Sequence, residues 1–383
     1  MASSSSEEDA SASFAATPGR SGTREPKPLT LSWERSPGPA GMYALIAILV
    51  WVHVLVTVAL MALLHWYAYG FSLLALAVVS TVVLLSVLPP LNDVGRDTVG
   101  KLLVSKSATY FPLKVHVEDV GAFDSKRKYI YACEPHCFLP LGIFAFTDLH
   151  GDSGLPRCMK GPAGSLRQLS SSAVQMLPII RNIVHWIGVR SIDKASFRRT
   201  LRAGHSCAII PGGAWEVMLS LIEGSPWRAA KDMIRQRKGF IKLAAEADAH
   251  VVPVVLFGGE GLYHMEQRFS STPWIKRITS RLRFAPVFFW GRPIFHFGSG
   301  FFNPVPMQSP ICTVVGKPIP CDGPGGVDAA HAAFIKAWED LYERHRGGPM
   351  GKGADGGDGT AATASAENGE STNWPTAAPE RQD

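Results

Sequence analysis

Between Gly41 and Leu91 the chain has no Asp, Glu, Lys or Arg at all. A run of that length without charge excludes an ordinary soluble surface, where charged side chains recur on every exposed helix and loop. Cysteine is scarce as well: Cys133, Cys137, Cys158, Cys207, Cys312 and Cys321 form no C-x-x-C pair, which excludes a secreted disulfide scaffold and leaves thiols suited to a reducing compartment. Large apolar residues are lacking at both ends. Met1–Ala40 is rich in Ser, Ala and Pro, and Gly347–Asp383 in Gly, Ala, Glu and Asp, so residues 1–40 and 347–383 are expected to be disordered. Acids are few in the remainder, Asn92–Arg346, which carries 32 Lys plus Arg against 21 Asp plus Glu, a net of +11 that the ends at −1 and −4 dilute to +6 overall. No repeat or sustained heptad is present. Together these absences exclude a coiled coil, a solenoid and a plain cytosolic enzyme, and point to a membrane protein with an anionic ligand.

The uncharged stretch divides into Met42–Leu64 and Phe71–Leu88, joined by His65, Trp66, Tyr67, Ala68, Tyr69 and Gly70. Each piece is near the roughly 20 residues that a helix needs to cross a hydrocarbon layer of about 30 Å. Trp and Tyr favour the headgroup level, and Gly permits a reversal. Residues 41–91 are therefore expected to form a two-helix transmembrane hairpin that ends at Pro89 and Pro90, with a hairpin buried in a soluble core as the alternative. Arg24, Lys27 and Arg35 precede it, Arg96, Lys101 and Lys106 follow it, and the turn holds no Lys or Arg. Both termini are thereby assigned to the cytosol. The leader is too long and polar for a cleaved signal peptide; its Ser and Ala content leaves a plastid address open, and Glu7, Glu8 and Asp9 argue against one.

After the hairpin, Tyr129–Cys133, Cys207–Ile210, Val251–Phe257 and Thr313–Gly316 read as short buried strands. Ser165–Gln175, Ser196–Ala203, Ala229–Ala247 and Asp328–Arg346 have helical spacing. That order gives the α/β class, with one domain over residues 92–346. The stretch Phe284–Phe302 is dense in Phe and broken by Pro and Gly; a core stripe and a lipid-facing surface are both open readings.

Polar chemistry gathers where strands end. Tyr129–Cys133 runs into Glu134, Pro135, His136 and Cys137. A carboxylate two residues before a His, at a strand end where α/β proteins place ligands, suggests a general base with an orienting acid; a purely structural His and a zinc cluster of Cys133, His136 and Cys137 are weaker readings. Cys207–Ile210 feeds Pro211, Gly212, Gly213, Ala214, Trp215 and Glu216, where glycines either let backbone amides approach a ligand or serve a tight turn. From Arg181 to Lys242 there are twelve Lys or Arg against four acids, a solvated face or a reader of phosphate.

Several blocks in order carry a resemblance: Tyr110–Pro112, Glu134–Cys137, Gly212–Ala214 with Glu216, Arg237–Phe240, Val252–Val254, Phe257, Gly258 and Glu260, and Val315–Pro320. Over about residues 92–346 the chain resembles the type 2 diacylglycerol acyltransferase family, in the plant and algal form with Glu-Pro-His in place of His-Pro-His. The resemblance implies a glycerolipid-acyltransferase-like α/β domain behind a membrane hairpin, with His136 as the catalytic base and Glu134 beside it. The wider glycerolipid acyltransferases place an Asp five residues after that His, where this chain has Leu141, and the residue after the His is Cys137 rather than Gly or Ser. A covalent Cys137 mechanism is therefore an alternative, although adjacent side chains on extended backbone face opposite ways.

The reaction so implied moves an acyl group from acyl-CoA to the hydroxyl of diacylglycerol and gives triacylglycerol. No metal or further cofactor is called for, since acyl-CoA is a substrate. Gly212, Gly213 and Glu216 are the candidate substrate-binding turn, and Arg190, Lys194, Arg237 and Lys238 are candidates for the CoA phosphates. The block Ile210–Glu216 has no basic residue. Glu216 there would repel a phosphate and accept from a glycerol hydroxyl, so a neutral acceptor is expected. Monoacylglycerol, a wax alcohol and a sterol remain alternative acceptors, and an inactive lipid-droplet hairpin protein is the alternative from another class. The expected partners are acyl-CoA, diacylglycerol and the lipid bilayer, with no nucleic acid; a homo-oligomer is left open. The expected location is the endoplasmic reticulum membrane, with the lipid-droplet surface as a second place.

Overall fold

The computed structural model describes residues 25–33, 62–63, 65–70, 72–87, 95–176, 180–266, 272–273, 277, 289–291 and 306–348. Its centre is a mixed eight-stranded sheet. The strands are β1 (Leu29–Ser32), β2 (Lys114–Val117), β3 (Lys128–Glu134), β4 (Leu166–Ser170), β5 (Val189–Ser191), β6 (Ser206–Ile209), β7 (Ala249–Phe257) and β10 (Cys312–Val315), in the order β1-β2-β10-β7-β3-β6-β4-β5. From β7 to β5 all neighbours are parallel. β10 runs antiparallel to β7 and parallel to β2, and β1 closes the edge antiparallel to β2. A separate pair joins β8 (His264–Met265) to β9 (Phe289–Trp290).

Both faces of the sheet are buried, and the two-residue period of a strand sorts the side chains between them. Tyr129, Tyr131 and Cys133 of β3 and Val252, Val254 and Leu256 of β7 enter one core. Ile130 and Ala132, with Val251, Val255 and Phe257, enter the other. Helix α1 (Leu73–Val87) precedes the domain. Helix α2 (Lys101–Tyr110) and short 3-10 turns at Leu141–Ala145 and Arg157–Met159 line the first face. Two short helices, α3 (Ser172–Met176) and α4 (Ile180–Trp186), connect β4 to β5.

The second face is covered by α5 (Lys194–Arg202), α7 (Pro226–Gln236), α8 (Gly239–Glu246) and α9 (Gly326–His345), with α6 (Gly213–Glu223) leading from β6 into α7. Caps explain several starts: Asp193 accepts from the Ser196 amide and Ser225 from the Arg228 amide. Trp338 of α9 is fully buried, donates to the Val254 carbonyl at 3.2 Å and stacks on Trp227. Its partners lie on β7 and α7, so α9 is fixed to sheet and helix layer at once.

Several expectations change. Ser165–Gln175 is not one helix: Leu166–Ser170 is strand β4, between β5 and β6, and only Ser172–Met176 is helical. The three-residue spacing of Leu166 and Leu169 mimics a helix, but pairing on both sides decides the conformation. Ala229–Ala247 is two helices, because Arg237 takes extended backbone angles before Gly239 opens α8. Within the segment expected to be disordered, Leu29–Ser32 is a sheet strand, since alternating Leu29 and Leu31 pack against the first core; residues 1–24 and 34–40 lie outside the described residues, as do 349–383. Of the expected hairpin, α1 has 15 residues, about 22 Å of helix, and most of Met42–Leu64 is outside the described residues. Among the described residues no helix is long and apolar enough to cross a membrane. In Phe284–Phe302 only residues 289–291 are described; Phe289 packs against Phe138 with ring centroids 4.1 Å apart.

Trp338→Ala is expected to destabilise the domain by about 3–5 kcal/mol through a large cavity and the lost hydrogen bond to the Val254 carbonyl. A thermal or denaturant midpoint of the full chain checks this, and a change below about 1 kcal/mol would contradict the central place given to Trp338.

Candidate active site

Strand β3 lies between β6 and β7, so its end meets the turns that follow both neighbours. β3 finishes at Glu134 and passes through Pro135 to His136 and Cys137. β6 leads into Gly212, where α6 begins. β7 leads into the turn Gly258–Glu260. Three loops therefore converge at the C-terminal ends of three parallel strands, the usual place for a ligand in such a sheet.

The contacts there are specific. Glu134 Oε1 accepts from the Gly212 amide at 2.6 Å, and Glu216 Oε1 accepts from the His136 amide at 2.5 Å. Each acid thus holds the backbone of the other's loop. Gly212 is required for this closeness: a Cβ on it would run into the Glu216 carboxyl, with Cδ only 2.8 Å away. Both carboxyl groups are buried, at 0% and 1% exposure. Burial raises the proton affinity of both above the usual carboxylate range, Glu134 most, because Glu216 also stands against it as a negative charge.

His136 itself is half-buried. Its Nδ1 lies 2.6 Å from the Cys137 carbonyl oxygen. A carbonyl only accepts, so Nδ1 carries the proton of the neutral ring and Nε2 presents the lone pair. That is the tautomer a general base needs.

Cys137 is buried behind the His, with a left-handed φ of 49°. Gly259 crowds it: a Cβ there would sit 3.1 Å from both Cβ and Sγ of Cys137. Burial, then Glu260, Glu216 and Glu134, push the thiol well above its ordinary value. A thiolate is needed for nucleophilic attack, so these surroundings oppose a covalent Cys137 mechanism and fit a small neutral residue in a tight turn.

The other expected site residues are placed differently from the sequence reading. Glu134 engages the Gly212 amide rather than the His136 ring; the Cys137 carbonyl is what orients the imidazole. Glu216 is sealed beneath the His136 backbone instead of lining an acceptor surface. Arg190 of β5 donates to the His185 and Val189 carbonyls, and Lys194 opens α5. Arg237 and Lys238 lie between α7 and α8, where Lys238 pairs with Asp328 at 2.7 Å. None of these named partners belongs to the His136 cluster. Glu260, which no sequence motif singles out as a site residue, reaches Cys137 with its carboxyl oxygen 4.0 Å from Sγ. Its signal was the Gly-Gly-Glu after an apolar strand, parallel to Gly-Gly-Ala after β6.

A mixed α/β sheet with a half-buried His at the ends of its parallel strands places the candidate chemistry where α/β proteins hold their ligands. Residues 65–348 match the model of the family described as diacylglycerol acyltransferase. The chain belongs to that family. It is 30% identical over 253 residues to Diacylglycerol O-acyltransferase 2A of Umbelopsis ramanniana, covering 62% of this chain and 67% of that one. It is 28% identical to Diacylglycerol O-acyltransferase 2 of Dictyostelium discoideum, covering 62% and 71%. It is equally 28% identical to 2-acylglycerol O-acyltransferase 1 of Bos taurus, covering 62% and 70%.

Substitutions at two positions test the geometry. Gly212→Ala is expected to displace Glu216 from the His136 amide and to lower turnover at least about tenfold while the chain stays folded. Cys137→Gly and Cys137→Ser are expected to stay active, since Gly relieves the left-handed strain and neither alters the His136 ring contact. Loss of activity in both Cys137 variants, with an acyl-enzyme trapped in the parent, would restore the covalent reading.

Proposed function

We propose that this protein transfers the acyl group of acyl-CoA to the free hydroxyl of diacylglycerol, giving triacylglycerol and CoA. The single observation that carries the mechanism is His136, a strand-end imidazole whose Nδ1 is tied to the Cys137 carbonyl. Nε2 takes the proton of the acceptor hydroxyl as its oxygen attacks the thioester carbonyl. The tetrahedral intermediate then collapses, the C–S bond breaks, and the imidazolium returns its proton to the departing sulfur. An alcohol needs such a base near neutral pH, whereas a thiol with a pKa of about 8.5 is a ready leaving group.

The oxyanion needs donors. The Gly212 and His136 amides are taken by the two glutamates. The amides of Gly213 and Ala214, which open α6 and have no intrahelical acceptor, are the remaining candidates in that turn.

The acceptor is neutral in this reading. Glu216 is buried, and the absence of Lys and Arg from Ile210–Glu216 together with family membership supports a neutral acceptor. Monoacylglycerol is the second acceptor to consider, because a relative of nearly the same identity is named for 2-acylglycerol. The CoA phosphates are read by the basic tract, with Arg190, Lys194, Arg237 and Lys238 as the residues to examine. No further cofactor is invoked.

The protein sits in the endoplasmic reticulum membrane in this proposal, with residues 41–91 as the hairpin and both termini cytosolic. Exposed Leu63, Leu73 and Leu84, together with Trp66, Tyr67 and Tyr69 at the joint, support an apolar surround and an interfacial turn.

His136→Ala is expected to cost about 100-fold to 10,000-fold in triacylglycerol formation without loss of membrane association. Labelled acyl-CoA with diacylglycerol, 2-monoacylglycerol and lysophosphatidic acid in mixed micelles checks the reaction and the acceptor together. Near-parental turnover by His136→Ala would overturn the base, and a preference for lysophosphatidic acid would overturn the neutral acceptor. Tags at both ends should be cleaved by protease added to intact microsomes; protection of one end alone would overturn the hairpin topology.

A further inference from the structure

Glu134 and Glu216 meet on either side of one residue. Glu134 takes the Gly212 amide, and the Glu216 carboxyl occupies the space where a Gly212 side chain would begin. Each also has a buried Oε2 with no hydrogen-bond partner. We propose that the two acids share one proton and, as a singly charged pair, are positioning residues that clamp the His136 loop to the start of α6. This rests on the acyl-transfer reading of the site and adds to it what the two acids do.

The charge state follows from the surroundings. Two ionised carboxylates in a dry site repel strongly, and a proton between them removes the repulsion while giving a buried oxygen a partner. One negative charge is welcome there, because α6 points its N-terminus at the pair and the His136 amide donates to it. Among the described residues no cationic side chain other than His136 faces a second. The titratable groups facing the pair are Cys133 from β3, His136 and Cys137 from the loop, and Glu260 from the turn after β7, behind Cys137. The two thiols are neutral and Glu260 is an acid, so among the described residues His136 is the one basic side chain that faces the pair.

The consequence for pH has a definite sign. Glu134 binds its proton more tightly folded than unfolded, so the stabilisation is complete below the ordinary carboxyl range and is lost as pH rises through the raised folded value. Deprotonation drives the two loops apart and takes His136 out of register with the helix amides. This limb lies on the alkaline side of the profile.

The experiment is a kcat profile against pH for the full chain in mixed micelles, with labelled acyl-CoA and diacylglycerol. The parent should lose activity on the alkaline side by up to about tenfold per pH unit. Glu134→Gln keeps an oxygen for the Gly212 amide and gives Glu216 a permanent N–H donor; it should hold kcat within about fivefold of the parent at neutral pH and lose the alkaline limb. Glu134→Ala should lower kcat about 10-fold to 100-fold with KM for acyl-CoA changed less than about twofold. An infrared carbonyl band of a protonated carboxylic acid should persist at neutral pH in the parent and vanish in Glu134→Gln. The same alkaline limb in parent and Glu134→Gln, or no such band in the parent, overturns the shared proton. If no acceptor is acylated at all, the acyl-transfer reading fails by itself, and the pair is still decided by the infrared band and by a melting midpoint that falls with rising pH in the parent but not in Glu134→Gln.

Discussion

The contact on which the site depends is the crossed pair of bonds at the ends of β3 and β6. Glu134 leaves β3 and holds the amide of Gly212, the N-cap of α6; Glu216 leaves α6 and holds the amide of His136. Parallel pairing fixes the ends of these strands as neighbours, since Ile130 lies opposite Cys207 and Ala132 opposite Ile209. The side chains then convert that register into a fixed height for the imidazole. A slip of one residue would reverse every inward and outward side chain of β3 and remove both contacts together.

The rest of the domain secures that register. β3 is buried on both faces, with tyrosines in one core and Ile130 and Ala132 in the other. Trp338 of α9 pins the neighbouring β7 through the Val254 carbonyl, opposite Cys133 in the ladder. At the far end of α9, Arg344 grips Glu118 with two bonds of 3.0 Å, while Lys238 meets Asp328 near its start. The exposed ion pairs add little individually; the buried indole and its hydrogen bond are what fix α9 against the strand beside the His136 loop. Chemistry and packing are therefore coupled through β7 and β3 rather than through the loops alone.

Much of this was legible in the chain. Apolar runs bounded by Gly, Pro or charge located β3, β6, β7 and β10 to within two residues, because buried parallel strands need nothing but apolar side chains on both faces. The strand-end motif marked His136 and Gly212 as parts of one centre. The strands β1, β2 and β5 are harder to read, because Leu-Thr-Leu-Ser, Lys-Val-His-Val and Val-Arg-Ser mix polar residues into three or four positions and leave no apolar run. β4 is masked in the sequence, because Leu166 and Leu169 satisfy a helical spacing when taken without their neighbours.

By itself the sequence determined the elements whose signal is local: the uncharged stretch, the basic balance of the domain, the buried strands, and the polar residues that end them. It could name Glu134, His136 and Glu216 as members of a site, because a strand end exposes whatever polar residue stands there. Only the tertiary structure decided what each does. Glu134 and Glu216 are far apart in the chain, and which amide each reaches depends on the register of two parallel strands and on the missing side chain at Gly212. The orientation of His136 likewise comes from a carbonyl of its own loop, a group every residue possesses and no sequence pattern distinguishes.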